Sequence, residues 1–337
     1  MKRKDKQFGS QRTLRLCVMI FSLLLVADHS MAADSAVDYP SRPVEYVTHV
    51  AAGNTLDVIC RMISDVIKEE KLLSQPVVVV NKVGSAGAVA FGYVFERKGN
   101  PHMILAASSG TFILTPLREK LPYNYKLFTP IANMIVNGSV LVVRGDSPFK
   151  AAEDIIAEAK KRPKELIQGG ASVTSNESMM GQSMQKTKGV KWNFIPFAGG
   201  DREAILNVLG GNVHFAFVNP INIIDHVRAG KLRVLLAGVP NRYPEFKDVP
   251  TIGEAGMGEP IVIYYGIVGP PNMPDYAVKK LEPVFKKVME NSRYKKFLKD
   301  SIMQPFWMSS VEYGKFLEKT NDQWKTWLSE IDSLKKK

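Results

Sequence analysis

The sequence predicts an α/β fold of two domains with a ligand cleft between them, and three observations lead there. The 337 residues are too many for one ordinary domain and comfortable for two. Short apolar runs alternate with segments of helical periodicity, which marks βαβ units and a mainly parallel sheet. No long linker separates the halves, so the chain is expected to cross between domains more than once. A ligand site is then expected at the crevice beside the strand ends.

Taken in order, Val44 to Val47 reads as a strand. Val58, Ile59, Met62, Ile63, Val66 and Ile67 follow at helical spacing. Val77 to Val80 is a continuous apolar run suited to a buried parallel strand, and Met103 to Ala106 and Val140 to Val143 are further strands. Ala151 to Lys161 reads as a helix with Ile155, Ile156 and Ala159 inward. A strand from Leu166 runs into Gly169 to Ser172. Helix and strand then alternate through Glu177–Lys186, Asn193–Phe197, Ala204–Leu209, His214–Val218, Ile223–Ala229 and Arg233–Ala237. Amphipathic helices over Tyr276–Asn291 and Val311–Leu334 close the chain, with Trp324 and Trp327 on one face as core packing.

The start reads as a secretory signal peptide. Basic residues from Lys2 to Arg15 precede an apolar run from Leu16 to Ala27, and Ser30-Met31-Ala32 offers a cleavage site. The run is about 12 residues, against roughly 20 for a membrane span. Cys17 lies inside the run, which argues against a lipoprotein. Cleavage near Ala32 and a periplasmic location are expected. The mature chain keeps one cysteine, Cys60, in an apolar helical stripe, so no internal disulfide forms and a buried core thiol is expected. The formal net charge is +12, and loss of six basic and two acidic leader residues brings it to +8. Export argues against nucleic acid as the partner of this basic surface, which reads as solvated helix faces.

Enzyme signatures are missing from the sequence. There is no G-x-S-x-G elbow, Walker loop or H-E-x-x-H, and the histidines lack metal-ligand spacing. Gly84-Ser85-Ala86-Gly87 follows a strand but lacks the third glycine of a dinucleotide loop. No catalytic residue, metal or cofactor is therefore expected. What recurs is a strand, a small polar loop and a helix: at Ala51 to Thr55, at Ser108 to Thr111 and at Gly170 to Asn176. Such loops expose backbone N–H groups beside the positive end of a helix, which suits a carboxylate. Ordinary turn chemistry would look the same.

At these loops the chain resembles the solute receptors of tripartite tricarboxylate transporters, the Bug family. His49-Val50-Ala51-Ala52-Gly53-Asn54-Thr55-Leu56-Asp57 stands where the family has P-F-A-P-G-G-x-x-D. Gln75 to Gly87 is similar to Q-P-V-V-V-E-N-R-P-G-A-G-G. Leu121-Pro122-Tyr123 with Phe128-Thr129-Pro130 resembles L-P-Y-D-P…F-T-P. Pro196 to Gly200 resembles V-P-Y-K-G, and Leu209 to Val213 resembles L-x-G-G-Q-V. The fullest match is Gly230-Lys231-Leu232-Arg233, then Arg242, then Asp248-Val249-Pro250-Thr251 with Glu254-Ala255-Gly256. The resemblance covers essentially the whole chain from about Tyr39.

The resemblance implies a two-domain periplasmic binding protein fold, type II-like, crossed twice by the chain. Domain I is expected over 37–140 and 262–337, and domain II over 141–261. It implies capture of a small carboxylate-type solute, delivery to membrane permease subunits, no chemistry and a monomer. The residues it places at the ligand are His49, Ala52, Gly53, Asn54, Thr55, Asp57, Ser108, Ser109 and Thr111 on one side. On the other are Gly170, Ser172, Ser175, Phe197, Ala198, Gly199 and Asn219. Departures from the pattern remove an aromatic wall and one cation: His49-Val50 replaces Pro-Phe, Asn54 a glycine, Ser178 a histidine, and Phe197-Ala198 a Tyr-Lys. They shift specificity away from the family's usual acids. Asp57 has two readings, a helix cap or an acceptor for the ligand, and His49 is either a pocket contact or a structural histidine. A neutral solute, or presentation of the ligand to a sensor kinase, stays open as an alternative role.

Overall fold

The computed structural model describes residues 38–119, 121–171 and 175–335. The predicted leader and Ser172 lie outside them, and so does the side chain of Trp327. Among the described residues no helix is long and apolar enough to cross a membrane.

The first domain is built on a six-stranded sheet in the order β11-β4-β10-β3-β1-β2. Its strands are β1 (Val44–Thr48), β2 (Val77–Asn81), β3 (Met103–Ser108), β4 (Thr129–Asn137), β10 (Ile263–Gly269) and β11 (Gln304–Met308). The second has five, ordered β7-β6-β8-β5-β9: β5 (Ser139–Arg144), β6 (Ile167–Gly170), β7 (Asn193–Pro196), β8 (Phe215–Val218) and β9 (Leu232–Gly238). The chain thus leaves the first sheet through Gly138 and returns between β9 and β10, which is the double crossing expected of the fold.

Register decides where the loops point. β1, β2 and β3 are parallel, and β10 runs antiparallel to β3 and β4. The ends of β1, β2, β3 and β4 therefore share one edge, where Ile263 at the start of β10 pairs with Asn137. In the second sheet β6, β7 and β8 are parallel and β5 is antiparallel to β8, with Val140 opposite Val218. Since Gly138 joins the end of β4 to the start of β5, the carboxyl edges of both sheets meet at one seam. Such a seam is where α/β sheets bind ligands.

Helices cover the sheets. Helix α1 (Thr55–Glu69) buries Leu56, Ile59, Cys60, Ile63, Val66 and Ile67 against β1 and the helix α8 (Asp275–Glu290), the stripe expected from its spacing. Each such side chain contributes roughly 1.5–3 kcal/mol on burial. Helix α2 (Ala88–Phe95) and helix α3 (Ser109–Arg118) cover the opposite face through Phe91, Phe112 and Ile113. In the second domain α4 (Ala152–Lys161) and α5 (Asn176–Lys188) close one face, and α6 (Gly200–Leu209) the other. A short α7 (Ile224–Arg228), α9 (Ser292–Asp300) and α10 (Ser310–Lys335) complete the chain. Trp324 is buried, as expected. The expectation of a fully buried β2 fails: it is the sheet's edge strand, and Val78 is 46% exposed.

Cys60 is fully buried, and burial first of all pushes its thiol up to about 12. Since the thiolate is the reactive form, native protein is expected to resist iodoacetamide and to be alkylated only once unfolded. Stoichiometric alkylation of folded protein, read by mass spectrometry, would contradict this.

Candidate functional site

The first wall begins where β1 ends. Ala51 to Thr55 form an exposed turn, closed by Asn54, whose Oδ1 accepts the Leu56 N–H at 3.4 Å and caps α1. Gly53 has φ +82° with nothing near a would-be Cβ, so the backbone and not crowding asks for glycine. Its N–H donates to Asp57 Oδ2 at 2.8 Å. The Arg61 guanidinium grips both oxygens of Asp57 at 2.9 Å, and Asn81 Nδ2 donates to Oδ1 at 2.8 Å. That amide also reaches the Val50 carbonyl at 2.9 Å. Burial pushes the Asp57 carboxyl up, but the bonds from Arg61, Asn81 and Gly53 outweigh it and hold it at about 2. Asp57 is 1% exposed with four protein donors on its two oxygens. Asp57 thus holds the turn in place, and the cap of α1 is Asn54 rather than Asp57.

Behind that turn, His49 packs its ring 5.4 Å from Phe91. Burial lowers it to about 4, against the Ala106 backbone, so it stays a neutral imidazole. Ser108 ends β3, and α3 begins at Ser109 with no loop between them. Ser109 is fully buried, and its Oγ accepts the Tyr264 N–H at 3.0 Å, tying α3 to β10. No side chain caps α3, so its first-turn N–H groups are not taken up by a cap. Half-buried Thr111 belongs to this turn. It abuts the Gly84–Gly87 turn, where a Cβ on Gly87 would lie 3.1 Å from its methyl. All four residues of that turn have positive φ, and the Thr115 hydroxyl pins it by donating to the Ala86 carbonyl at 2.8 Å.

The second wall is made at the ends of β6, β7 and β8. Gly170 closes β6, and a Cβ there would press on the Phe194 ring at 2.9 Å. Ser175 caps α5, its Oγ accepting the Ser178 N–H at 3.3 Å. Phe197 donates its N–H to the Gly170 carbonyl at 2.8 Å and folds its ring back over Gly169. Ala198 and Gly199 are exposed, and Gly199 N–H donates to Glu203 at 2.8 Å. Asn219 turns its Oδ1 to the Ile221 N–H, while its own N–H donates to Asp201 Oδ2 at 2.8 Å.

Sequence reasoning passed over two acids here. Glu177 and Asp201 occupy the first turns of α5 and α6 on this wall. Burial, then the charge of Asp201, push the Glu177 carboxyl up. Burial pushes Asp201 up against the Asn219 N–H and the Asn222 amide. Their only trace in the sequence is a first-turn acid after a small loop, which reads as helix capping. The seam thus unites exposed amides and an uncapped helix start on one wall with a carboxyl pair on the other.

The model of the family described as tripartite tricarboxylate transporter family receptor matches residues 59–333. A Cupriavidus necator protein described as the UPF0065 protein in gbd 5'region is 29% identical over 299 residues, 86% of this chain and 88% of its own. A TctC solute binding protein from Polaromonas superposes with a TM-score of 0.80 at 25% identity, over 87% of this chain and 99% of that one. MatC from Rhodopseudomonas palustris with bound malate has a TM-score of 0.61 at 22% identity, over 86% and 99%.

Proposed function

The chain belongs to the tripartite tricarboxylate transporter receptor family, and from that premise we propose that it captures a small carboxylate-type solute in the seam. It works outside the cytoplasm and delivers the solute to the membrane subunits of a tripartite tricarboxylate-type transporter. In this reading residues 37–140 with 262–337 are one lobe and 141–261 the other. The observation that carries it is the junction itself: two crossovers bring the carboxyl edges of both sheets together, with exposed loop amides and an uncapped α3 start to receive a carboxylate. Ala52, Thr55, Ser108 and Thr111 hold one end of the solute, with Gly53 shaping the turn, and Ser175 and Ala198 close on the other, with Gly199 held by Glu203 behind them. No side chain is asked to do chemistry.

Malate and adipate serve as first probes, beside amides and aromatic acids, in a thermal-shift and calorimetric screen. A ligand at about 100 times its Kd raises stability by about 2.7 kcal/mol. No response to any organic acid, amide or aromatic acid would sink the proposal.

The carboxyl pair favours a second reading, in which the solute brings N–H donors to Glu177 and Asp201, as an amino acid or amide does. The sign of a pH test separates the two. Both carboxyls are raised, so they take up protons first as pH falls and the wall loses negative charge. As pH is lowered toward the ordinary carboxylate range, affinity for a solute that stays anionic is expected to rise and affinity for an ammonium-bearing solute to fall. A flat profile for both, measured by calorimetry, would mean that neither group meets the solute.

A further inference from the structure

A cavity of about 500 Å³ lies away from the seam loops. One side comes from the chain just after β9, and the other from α9 and the start of β11. Because β11 is the outer neighbour of β4, two strands, β4 and β10, separate this cavity from β3 and the loops of the first wall. Its size falls within the range of small-molecule sites.

The lining is two-natured. Tyr243, Pro244, Leu298, Ile302 and Met303 supply an apolar floor. Lys295 and Lys299, four apart on one face of α9, stand on the rim, both exposed and neither paired with an acid among the described residues. Arg242 on the facing rim is already bonded to Glu254, and Glu245 stands beside it. In the wall sits Gln304, 7% exposed. Its Nε2 donates to the Asn241 carbonyl at 2.7 Å, but its Oε1 is buried with no hydrogen-bond partner. A buried acceptor left without a donor is costly, and a ligand or water that brings one relieves the cost.

We propose that this cavity is a second ligand site for an amphiphilic monoanion that carries a hydroxyl or amide N–H near its charged head. The apolar floor takes the hydrocarbon body, Lys295 and Lys299 take the charge, and Gln304 Oε1 accepts from the donor. The ligand bridges segments of both domains, with Tyr243 beneath it. The inference does not depend on which solute fills the seam.

The test uses 3-hydroxydecanoate as the probe and decanoate as its donor-free partner, titrated calorimetrically into the full mature chain. Saturable binding is expected, with 3-hydroxydecanoate tighter than decanoate. The double substitution Lys295→Glu with Lys299→Glu is expected to weaken binding at least about tenfold, and Lys295→Gln with Lys299→Gln to weaken it less. Gln304→Met is expected to abolish the preference for the hydroxylated acid. Circular dichroism and the neutral double variant guard against misfolding. No saturable binding, or equal affinity in the wild type and both lysine variants, overturns the site. A preference that survives Gln304→Met overturns the role of Gln304.

Discussion

Asp57→Ala is expected to destabilise the protein by about 2–4 kcal/mol, more than removal of any exposed charge. The carboxylate is buried and accepts from Gly53, Asn81 and both arms of the Arg61 fork. Removing it leaves the Asn81 amide short of a partner inside the fold and lets go of the Gly53 N–H. The Arg61 side chain is 49% exposed and regains water, which keeps the loss below that of a wholly buried pair. Asp57→Asn is expected to do little better, because its NH₂ would face two donors. Urea denaturation measures the effect as a lower midpoint at unchanged slope. A change under about 1 kcal/mol would mean that the network contributes only geometry. pH adds a second check. The Asp57 carboxyl is lower in the folded chain than its ordinary 3.8, at about 2. Its contribution is therefore complete above the ordinary value and fades as pH falls through about 2. The Asp57→Ala protein should lose stability less steeply over that acid range. Solute affinity should fall in the same variant, since the Ala51–Thr55 turn loses its anchor.

Gly138→Ala is the second large effect, with an expected loss of about 2–4 kcal/mol and a solute affinity reduced beyond what that loss explains. A Cβ on Gly138 would lie 2.5 Å from the Gly238 carbonyl oxygen, 2.5 Å from a Val239 methyl and 3.0 Å from a Val262 methyl. Those atoms belong to the returning crossover, so the added methyl forces the two connections apart. The same place is stitched by one hydroxyl: Tyr243 Oη donates to the Gly138 carbonyl at 3.0 Å and lies 3.3 Å from its N–H as acceptor. Tyr243→Phe removes the stitch without crowding, and its loss should be nearer 1 kcal/mol. If Gly138→Ala unfolds within about 1 kcal/mol of wild type and binds solute normally, the crossovers are not the tight joint that these distances describe.

Much of the architecture could be read along the chain. The α1 stripe from Ile59 to Ile67 and the strand–helix alternation of the second domain rest on local periodicity, and they appear where expected. Elements that broke local rules escaped notice. Helix α3 contains Gly110 and Pro116, both helix breakers, so Ser108 to Thr111 read as a loop; packing of Phe112 and Ile113 overrides the propensity. Strand β4 is buried along most of its length and shows no alternation, and its partners β10 and β11 lie far along the sequence. Val77 to Val80 looked central because it is all valine, yet strand order put it at the edge.

The candidate site divides in the same way. By itself the sequence determined the two-domain α/β plan, the small loops after β1, β6 and β7, and the family, because these rest on short-range pattern and on motifs in order. Only the tertiary structure decided what each polar side chain does. Asp57 is spent on Asn81 across 24 residues, with Arg61 and Gly53 taking the rest of its two oxygens, and Ser109 on Tyr264 across 155. A carboxylate or hydroxyl offers a ligand only the lone pairs that protein donors have not already taken. Those competitors arrive from distant strands, whose register no local stretch of sequence specifies.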